Sequence, residues 1–532
     1  MNIRLPSILM LAAVAACSPS PISAAPAPDP QDTGFKLPVQ ELVLDNGLRV
    51  LIVERHDVPR VFCSLWWRVG SVNEHTGGTG LSHFFEHMMF MGTDVIGTRD
   101  AKKDAELNAK IEDVMGRIRK VKLARLEAKR RGLEPVPGKD VLSLPEKALR
   151  DALPKDAYED EYRSLMKEYE GYVEEQKKII IPEHLSKIFQ ANGGTGLNAT
   201  TSYDRTNYFV ELPSNKVELF CWLESDRFLK PVFRSFYPER DVVKEERRMR
   251  TDSTPTGLVH EDYWAMLWEA HPYHWPVLGW MSDIDEYRLA DAQRYYDTHY
   301  SPQNCTAIFV GDVVPGDIKE LAKRYFGRLR RFSGEREAIV TQEPDQVAER
   351  RIEAEAEAKD DIAIEWHGPA AVHKDSAACD LLMSVFAGRS GRLYRPLVEE
   401  KQLALEIESY FYSLRYGGVL HLGAEPRAGA DPVQVEKAIT AIVEDVRAHG
   451  ITDRELEKVR NQQMADLVRG LKTNTGIAQQ LGYFETVGTY QDFFGYAKAL
   501  ESVTAADLQR CAEHYLKPAG RNVLVIRRKE KK

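Results

Sequence analysis

Residues 80–93 of this 532-residue chain read GLSHFFEHMMFMGT. Five of them, His83, Phe84, Phe85, Glu86 and His87, combine residue types and spacing that point to metal chemistry. On an α-helix, residues four apart share a face one turn apart, so the imidazoles of His83 and His87 project together with Glu86 beside them. Two imidazoles so placed make half of a zinc site, and a neighbouring carboxylate outside the ligand set can take a proton from zinc-bound water. H-x-x-E-H is the inverted form of the H-E-x-x-H zinc helix. The flanking Leu81, Met88, Met89, Phe90 and Met91 are apolar nearly all round, which predicts a buried helix. Ionisable groups on such a helix need a partner, and a metal supplies one.

A third ligand is expected from YPERDVVKEERRMR, residues 237–250. Pro238 suits a first helical turn. At helical spacing Glu239, Val242, Val243, Glu246 and Met249 share one face, so Glu246 becomes a carboxylate on an apolar surface. Glu245, rotated by about 100°, is the weaker candidate. Glu239 lies two turns before Glu246 and can act as an accessory carboxylate.

The elements that must position these groups read as an α+β fold of two homologous domains, each a mainly antiparallel sheet backed by helices. ELVLDNGLRVLIVER predicts a hairpin turning at Asp45, Asn46 and Gly47, and VFCSLWW a third strand. GGTGLNATTSYDRTNYFVELP predicts two strands joined around Tyr203, Asp204 and Arg205. Glu74 and His75 read as loop-fixing or exposed residues, and His271 and His274 as fold residues, because Pro272 spoils a helical ligand pair. ADAQRYYDTHYSP (290–302) and ADLQRCAEHYLKP (506–518) repeat each other nearly in register, which predicts two copies of one unit. The expected division is 36–335, a linker at 336–348, and 349–530.

Residues 101–181 differ in character, dense in Lys, Arg, Glu and Asp over a heptad at Leu107, Ile111, Val114, Ile118 and Val121. A second heptad runs Tyr158, Tyr162, Leu165, Tyr169 and Tyr172, and LEPVPGKD lies between them as a breaker. This predicts an antiparallel helical hairpin inserted in the first domain, with a solvated structural role as the default.

The opening MNIRLPSILMLAAVAAC reads as an export signal. Val14, Ala15, Ala16 and Cys17 resemble a lipobox, which predicts residues 1–17 as a lipoprotein-type signal ending in a lipidated Cys17. A flexible tether at 18–35 would follow, in a periplasmic, outer-membrane-anchored protein. The competing reading is ordinary cleavage near Ala25 and a free periplasmic protein. Cys63, Cys221, Cys305, Cys379 and Cys511 are odd in number and scattered, which predicts buried thiols. A net charge of −9 argues against a nucleic-acid partner.

With these residues in place, the chain resembles the pitrilysin/insulysin family of zinc peptidases, which includes the mitochondrial processing peptidase, in a half-length two-domain bacterial form. The family pattern is H-x-x-E-H followed by a helix with Glu, Val and Glu spaced as Glu239, Val242 and Glu246. The interval from His87 to Glu246 exceeds the family's by about the length of the 101–181 insert. The resemblance implies one zinc ion per chain held by His83, His87 and Glu246, with Glu86 as general base and Glu239 in support. LNATTS is similar to the family's substrate-binding edge strand, so Asn198 and Ala199 would hold a peptide by strand addition. Family members with a complete site carry an Arg and, seven residues later, a Tyr in the second domain. Here those positions are Val398 and Leu405, neither able to donate a hydrogen bond from its side chain. The implied function is a zinc endopeptidase acting on peptides or exported proteins, completed by a homologous partner subunit bearing the Arg/Tyr pair or by a homodimer. The alternative is a non-catalytic zinc- and peptide-binding assembly subunit of the same fold.

Overall fold

A computed structural model describes residues 37–131, 155–334 and 336–529. The signal and tether expected at 1–35, with Cys17, lie outside the described residues, as does LEPVPGKD. Among the described residues no helix is long and apolar enough to cross a membrane. Cys63, Cys221, Cys305, Cys379 and Cys511 are free and buried.

The first sheet contains β1 (Val39–Val43), β2 (Arg49–Glu54), β3 (Arg60–Trp67), β4 (Thr195–Thr201), β5 (Thr206–Pro213) and β6 (Cys305–Gly311), in the order β1-β2-β6-β3-β5-β4. The second contains β7 (Arg350–Ala356), β8 (Asp361–Gly368), β9 (Ala404–Ser413), β10 (Gly418–Pro426) and β11 (Asn522–Arg528), in the order β7-β11-β8-β10-β9. Without β1 the two orders are the same. In each, one outer pair is parallel, β2 with β6 and β7 with β11, and the other pairings are antiparallel. The two matching sequence segments fall on the helices Leu289–His299 and Ala505–Tyr515, each leading into the last strand of its sheet. The duplication is therefore one of topology as well as sequence.

Strands buried on both faces read as continuous apolar runs, and the central strands of the first sheet do so. Val50 and Ile52, Val61, Cys63, Leu65 and Trp67, and Ala307 and Phe309 join the core on the sheet's own helical side. Their alternates Leu51, Val53, Phe62, Trp66, Ile308 and Val310 join the core built by the second unit's helices. The Asn474–Val487 helix of the second unit lies against this face, with Gly482 over the Trp66 ring. The exchange is mutual: Tyr263, from the Gly257–Leu267 helix, packs on Ala363, Leu524 and Ile526 of the second sheet. Its hydroxyl donates to the Asn522 carbonyl at 2.9 Å.

The insert forms two helices, α2 (Ala101–Arg130) and α3 (Lys155–Lys177), after α1 (Leu81–Met88), which carries the histidines. Cross-links Gln176–Asp104 (2.9 Å) and Arg117–Glu168 (2.7 Å) show that α2 and α3 run antiparallel. Leu107, Ile111, Val114, Ile118 and Val121 are all buried, as are Leu165 and Tyr169, with Tyr162 and Tyr172 half-buried; the side chain of Tyr158 lies outside the description. The hairpin is not a solvated appendage. Its heptad face is continuous with the first unit's core. At its base the buried Arg234 pairs with Asp104 (2.8 Å) and donates to the carbonyls of Thr93 (2.7 Å) and Ile96 (2.9 Å).

The seam between the units gives a test. A Cβ on Gly482 would fall 2.0 Å from a Trp66 ring atom. Alanine otherwise favours a helix over glycine by about 1 kcal/mol, so the sign is decided by the clash. Gly482→Ala should lose about 1–3 kcal/mol and lower the urea midpoint; an unchanged or raised midpoint would contradict this packing.

Candidate metal centre

The helix α1 is set by its entry. Gly80 caps it at φ +85°, where a Cβ would meet the Leu278 carbonyl oxygen at 2.5 Å and the Tyr287 hydroxyl at 2.6 Å, so glycine is required. The buried Glu74 carboxylate accepts from the Gly80 and Ser82 amides at 2.6 and 2.7 Å, satisfying the helix N-terminus. Burial pushes this carboxyl up to about 8, against the pull of those amides. Asp283 fixes the preceding loop through the Gly77 and Thr79 amides and the Thr79 hydroxyl. His75 is exposed, and His271 and His274 bond to local backbone, at the Tyr273 amide and the Trp268 carbonyl.

The second helix, Phe236–Arg247, differs from expectation in its buried stripe. That stripe is Phe236, Tyr237, Arg240, Val243 and Arg247, whereas Val242 and Met249 are 50% and 68% exposed. At 100° per residue, Val243 falls on one side of the Glu239/Glu246 line, and Val242 and Met249 on the other. The two glutamates thus stand at the margin of the buried face, free to meet α1. Past Arg247 the chain enters a π-helical turn, Arg248–Asp252. Glu245 is exposed and pairs with Arg248.

This helix is clamped on several sides. Arg247 grips Glu261 through both terminal nitrogens (2.8 and 2.7 Å) and donates to the Gly279 carbonyl. Lys244 and Lys122 share Asp285, at 2.5 and 3.2 Å, and Arg240 donates to the Asp285 carbonyl. Because Lys122 lies on α2, and Glu112 of α2 accepts from the Tyr237 hydroxyl at 2.7 Å, the insert buttresses the helix that carries Glu246.

His83 Nε2 and His87 Nε2 stand 3.6 and 3.2 Å from the same oxygen, Glu246 Oε2. One ligand atom from each of these three residues lies within 4.8 Å of the others, and no other such group occurs among the described residues. Ligands about 2.1 Å from a tetrahedral zinc stand roughly 3.4 Å apart, so the donor set and its spacing fit zinc. His87 Nδ1 bonds to Glu239 Oε1 at 2.8 Å, which leaves Nε2 for the site, the carboxylate–histidine arrangement common behind metal ligands. Among the described residues, His83 Nδ1 is buried without a hydrogen-bond partner.

Burial and the neighbouring His87 push His83 down to about 4, keeping it neutral and its lone pair free. Burial also pulls on His87, but Glu239 and Glu246 outweigh it and hold that imidazole up at about 9. Glu246 is held at about 2, because His87, His83 and Arg250 overcome its burial. Glu86 has no part in the donor set. Burial raises its carboxyl, while the Thr201 hydroxyl, donating to Oε2 at 2.6 Å, opposes the shift.

Asn198 and Ala199 lie on β4, the end strand of the first sheet, paired with β5 opposite Phe209 and Tyr208. Ala199 is buried and Asn198 half-buried. The β4 residue that meets the site is Thr201, at the strand's end. Sequence reasoning missed it, since no local pattern signals a contact between a strand and a helix so far apart in the chain. It also passed over Arg250, whose Nη2 lies 2.9 Å from Glu246 Oε1; the spacing of four residues was the available signal. Val398 sits in the helical turn Arg395–Glu400, and Leu405, 49% exposed, on the end strand β9.

Residues 49–112 match the family model described as insulinase (peptidase family M16), and residues 287–463 match the peptidase M16 inactive domain. The zinc protease PqqE of Helicobacter pylori is 32% identical over 346 residues, covering 62% of this chain and 76% of that protein. An uncharacterized zinc protease of Bacillus subtilis, YmxG, is 21% identical over 439 residues, covering 82% and 85%. In fold, the chain is similar to a protease from Helicobacter pylori, with a TM-score of 0.72 at 23% identity over 92% of this chain and all of that one. It is also similar to pitrilysin, with a TM-score of 0.65 at 16% identity over 93% of this chain, which spans 46% of that longer molecule. Two-domain architecture, duplicated topology and sequence relatives agree: the chain belongs to the M16 (insulinase) family of peptidases.

Proposed function

We propose that the chain is a zinc-dependent endopeptidase, with zinc held by His83, His87 and Glu246. The observation that carries this reading is the convergence of three donor atoms on one point beside a carboxylate, Glu86, that is outside the donor set. Zinc bound there supplies Lewis-acid polarisation of the attacking water and of the scissile carbonyl. The chain's own residues do the rest. Glu86 takes the water's proton and returns it to the leaving nitrogen. Its Oε2 is held by Thr201, so Oε1 is the oxygen free to move the proton. Its burial-raised basicity suits a group that must take up a proton and release it again. Glu239 holds His87 by Nδ1 and orients its ring. The unpaired side of β4, along Asn198 and Ala199, receives the substrate as an added strand, its main chain supplying the hydrogen bonds.

Substrates are peptides or exported proteins, in keeping with the signal expected at 1–17; a protein similar in fold is described as the periplasmic protease PqqL from Escherichia coli. Catalysis falls to the unit spanning 36–335, and 349–530 supplies a second wall. Val398 and Leu405 offer that wall no donor, and a second copy of this chain would bring the same two residues, so a homologous subunit bearing the Arg/Tyr pair completes the site. The same two residues, with the inactive-domain match, favour the second reading of a non-catalytic zinc- and peptide-binding subunit.

Glu86→Gln should keep zinc and lose at least about 100-fold in turnover, whereas His83→Ala and Glu246→Ala should lose the metal; peptide digestion and metal analysis of the purified proteins check both. Undiminished hydrolysis by Glu86→Gln would overturn the assignment. Zinc must also displace a proton. Below about pH 9 the imidazole of His87 is protonated, so apparent zinc affinity should rise about tenfold per pH unit from 7 towards 9 and then level. Glu239→Gln should lower the pH of that levelling and cost about 10–100-fold in affinity. Competition with a chelator across pH measures both, and a flat profile from pH 7 to 8 would contradict the role given to His87.

A further inference from the structure

Four basic residues follow one another near the end of the Glu246 helix, and three are engaged away from the site. Lys244 binds Asp285, Arg247 binds Glu261, and Arg248 binds Glu245. Arg250 reaches back from the π-helical turn to Glu246 Oε1, the oxygen opposite the one that faces the imidazoles. Such turns re-aim side chains and recur at functional sites. The Arg250 side chain is 61% exposed. A guanidinium carries five N–H donors in a planar fork, and the contact with Glu246 occupies one terminal nitrogen. Its charge is felt at His83, Glu86 and Glu246 alike. The remaining donors therefore face solvent at the rim of the site.

We propose that Arg250 is the specificity residue of this site and recognises a carboxylate on the peptide, close to the scissile bond. The inference rests on the peptidase reading and deepens it by naming a substrate class. Only one terminal nitrogen is engaged with Glu246, so Arg250 can take a second carboxylate with its free edge, and its fork favours bidentate recognition of such a group. Arg250 Nη2 stands 2.9 Å from one oxygen of the carboxylate whose other oxygen faces both imidazoles, and an extended peptide advances about 3.3 Å per residue. The recognised carboxylate thus belongs to a residue one or two positions from the bond cleaved, as an acidic side chain or as the terminal carboxylate of a short peptide. The second unit offers no competing cation at Val398 and Leu405.

The experiment uses the full chain loaded with zinc and a matched peptide set carrying Glu, Gln or Lys at each position flanking the cleavage site, each with a free or an amidated C-terminus. KM and kcat are measured on the wild type, and Kd by fluorescence on Glu86→Gln. Peptides with a carboxylate should show KM and Kd about tenfold below their neutral analogues, with kcat little changed. Arg250→Gln should abolish that preference while keeping zinc, and Arg250→Glu should turn it towards Lys. Loss of the preference on amidation assigns it to the terminal carboxylate, and persistence assigns it to the side chain. Equal KM and Kd for acidic and neutral peptides, or an acidic preference that survives Arg250→Gln, would overturn the proposal. If the wild type cleaves nothing while Glu86→Gln still prefers acidic peptides and loses that preference with Arg250→Gln, catalysis fails as a reading and recognition stands.

Discussion

The structure depends on holding one carboxylate oxygen, Glu246 Oε2, within 3.6 Å of two imidazole nitrogens that arrive on a different helix from far earlier in the chain. Gathering ionisable groups in a partly buried place costs free energy unless each is paired, and the surroundings are arranged accordingly. Glu239 takes the back of His87, Thr201 takes Glu86, and Arg250 takes the outer oxygen of Glu246. What keeps the two helices in register is a set of ionic clamps on the Glu246 helix, Arg247 to Glu261 and Lys244 to Asp285. Lys122 extends the second clamp into the insert. The hairpin's charge is partly consumed in fixing the position of the third donor.

Duplication gives the site its rigid ground. Two sheets of the same strand order each bury one face on their own helices and the other on a helix from the opposite unit. The first copy carries the two histidines on α1, beside its end strand β4, and Glu246 on the Phe236–Arg247 helix. The second keeps the corresponding end strand, β9, with Leu405 on it and Val398 in the helical turn before it. Among the described residues, the cluster of three candidate metal donors lies in the first copy.

Legibility followed the range of the interactions. The H-x-x-E-H pair was readable because helical spacing is local, and the duplication because ADAQR and ADLQR mark the same helix in both units. Glu246 was readable as a carboxylate on a helix beside apolar residues, yet the wheel assigned Val242 and Met249 to the wrong side. The buried stripe runs through Arg240 and Arg247, long cations that bury their stems and pair their heads, which a hydrophobic count overlooks. The same blindness made the hairpin read as solvated, since nothing in sequence shows that Lys122 has a distant acceptor in Asp285. Thr201 was invisible for a different reason: its contact with Glu86 arises only when β4 is laid beside α1.

His83, His87 and Glu246 are proposed to hold a zinc ion. The most direct measurement is the anomalous diffraction difference across the zinc edge for crystals of the full chain. One peak per chain is expected, about 2.1 Å from His83 Nε2, His87 Nε2 and a carboxylate oxygen of Glu246. No peak at that point after zinc loading, or a zinc ion bound elsewhere with these three residues unligated, would contradict it.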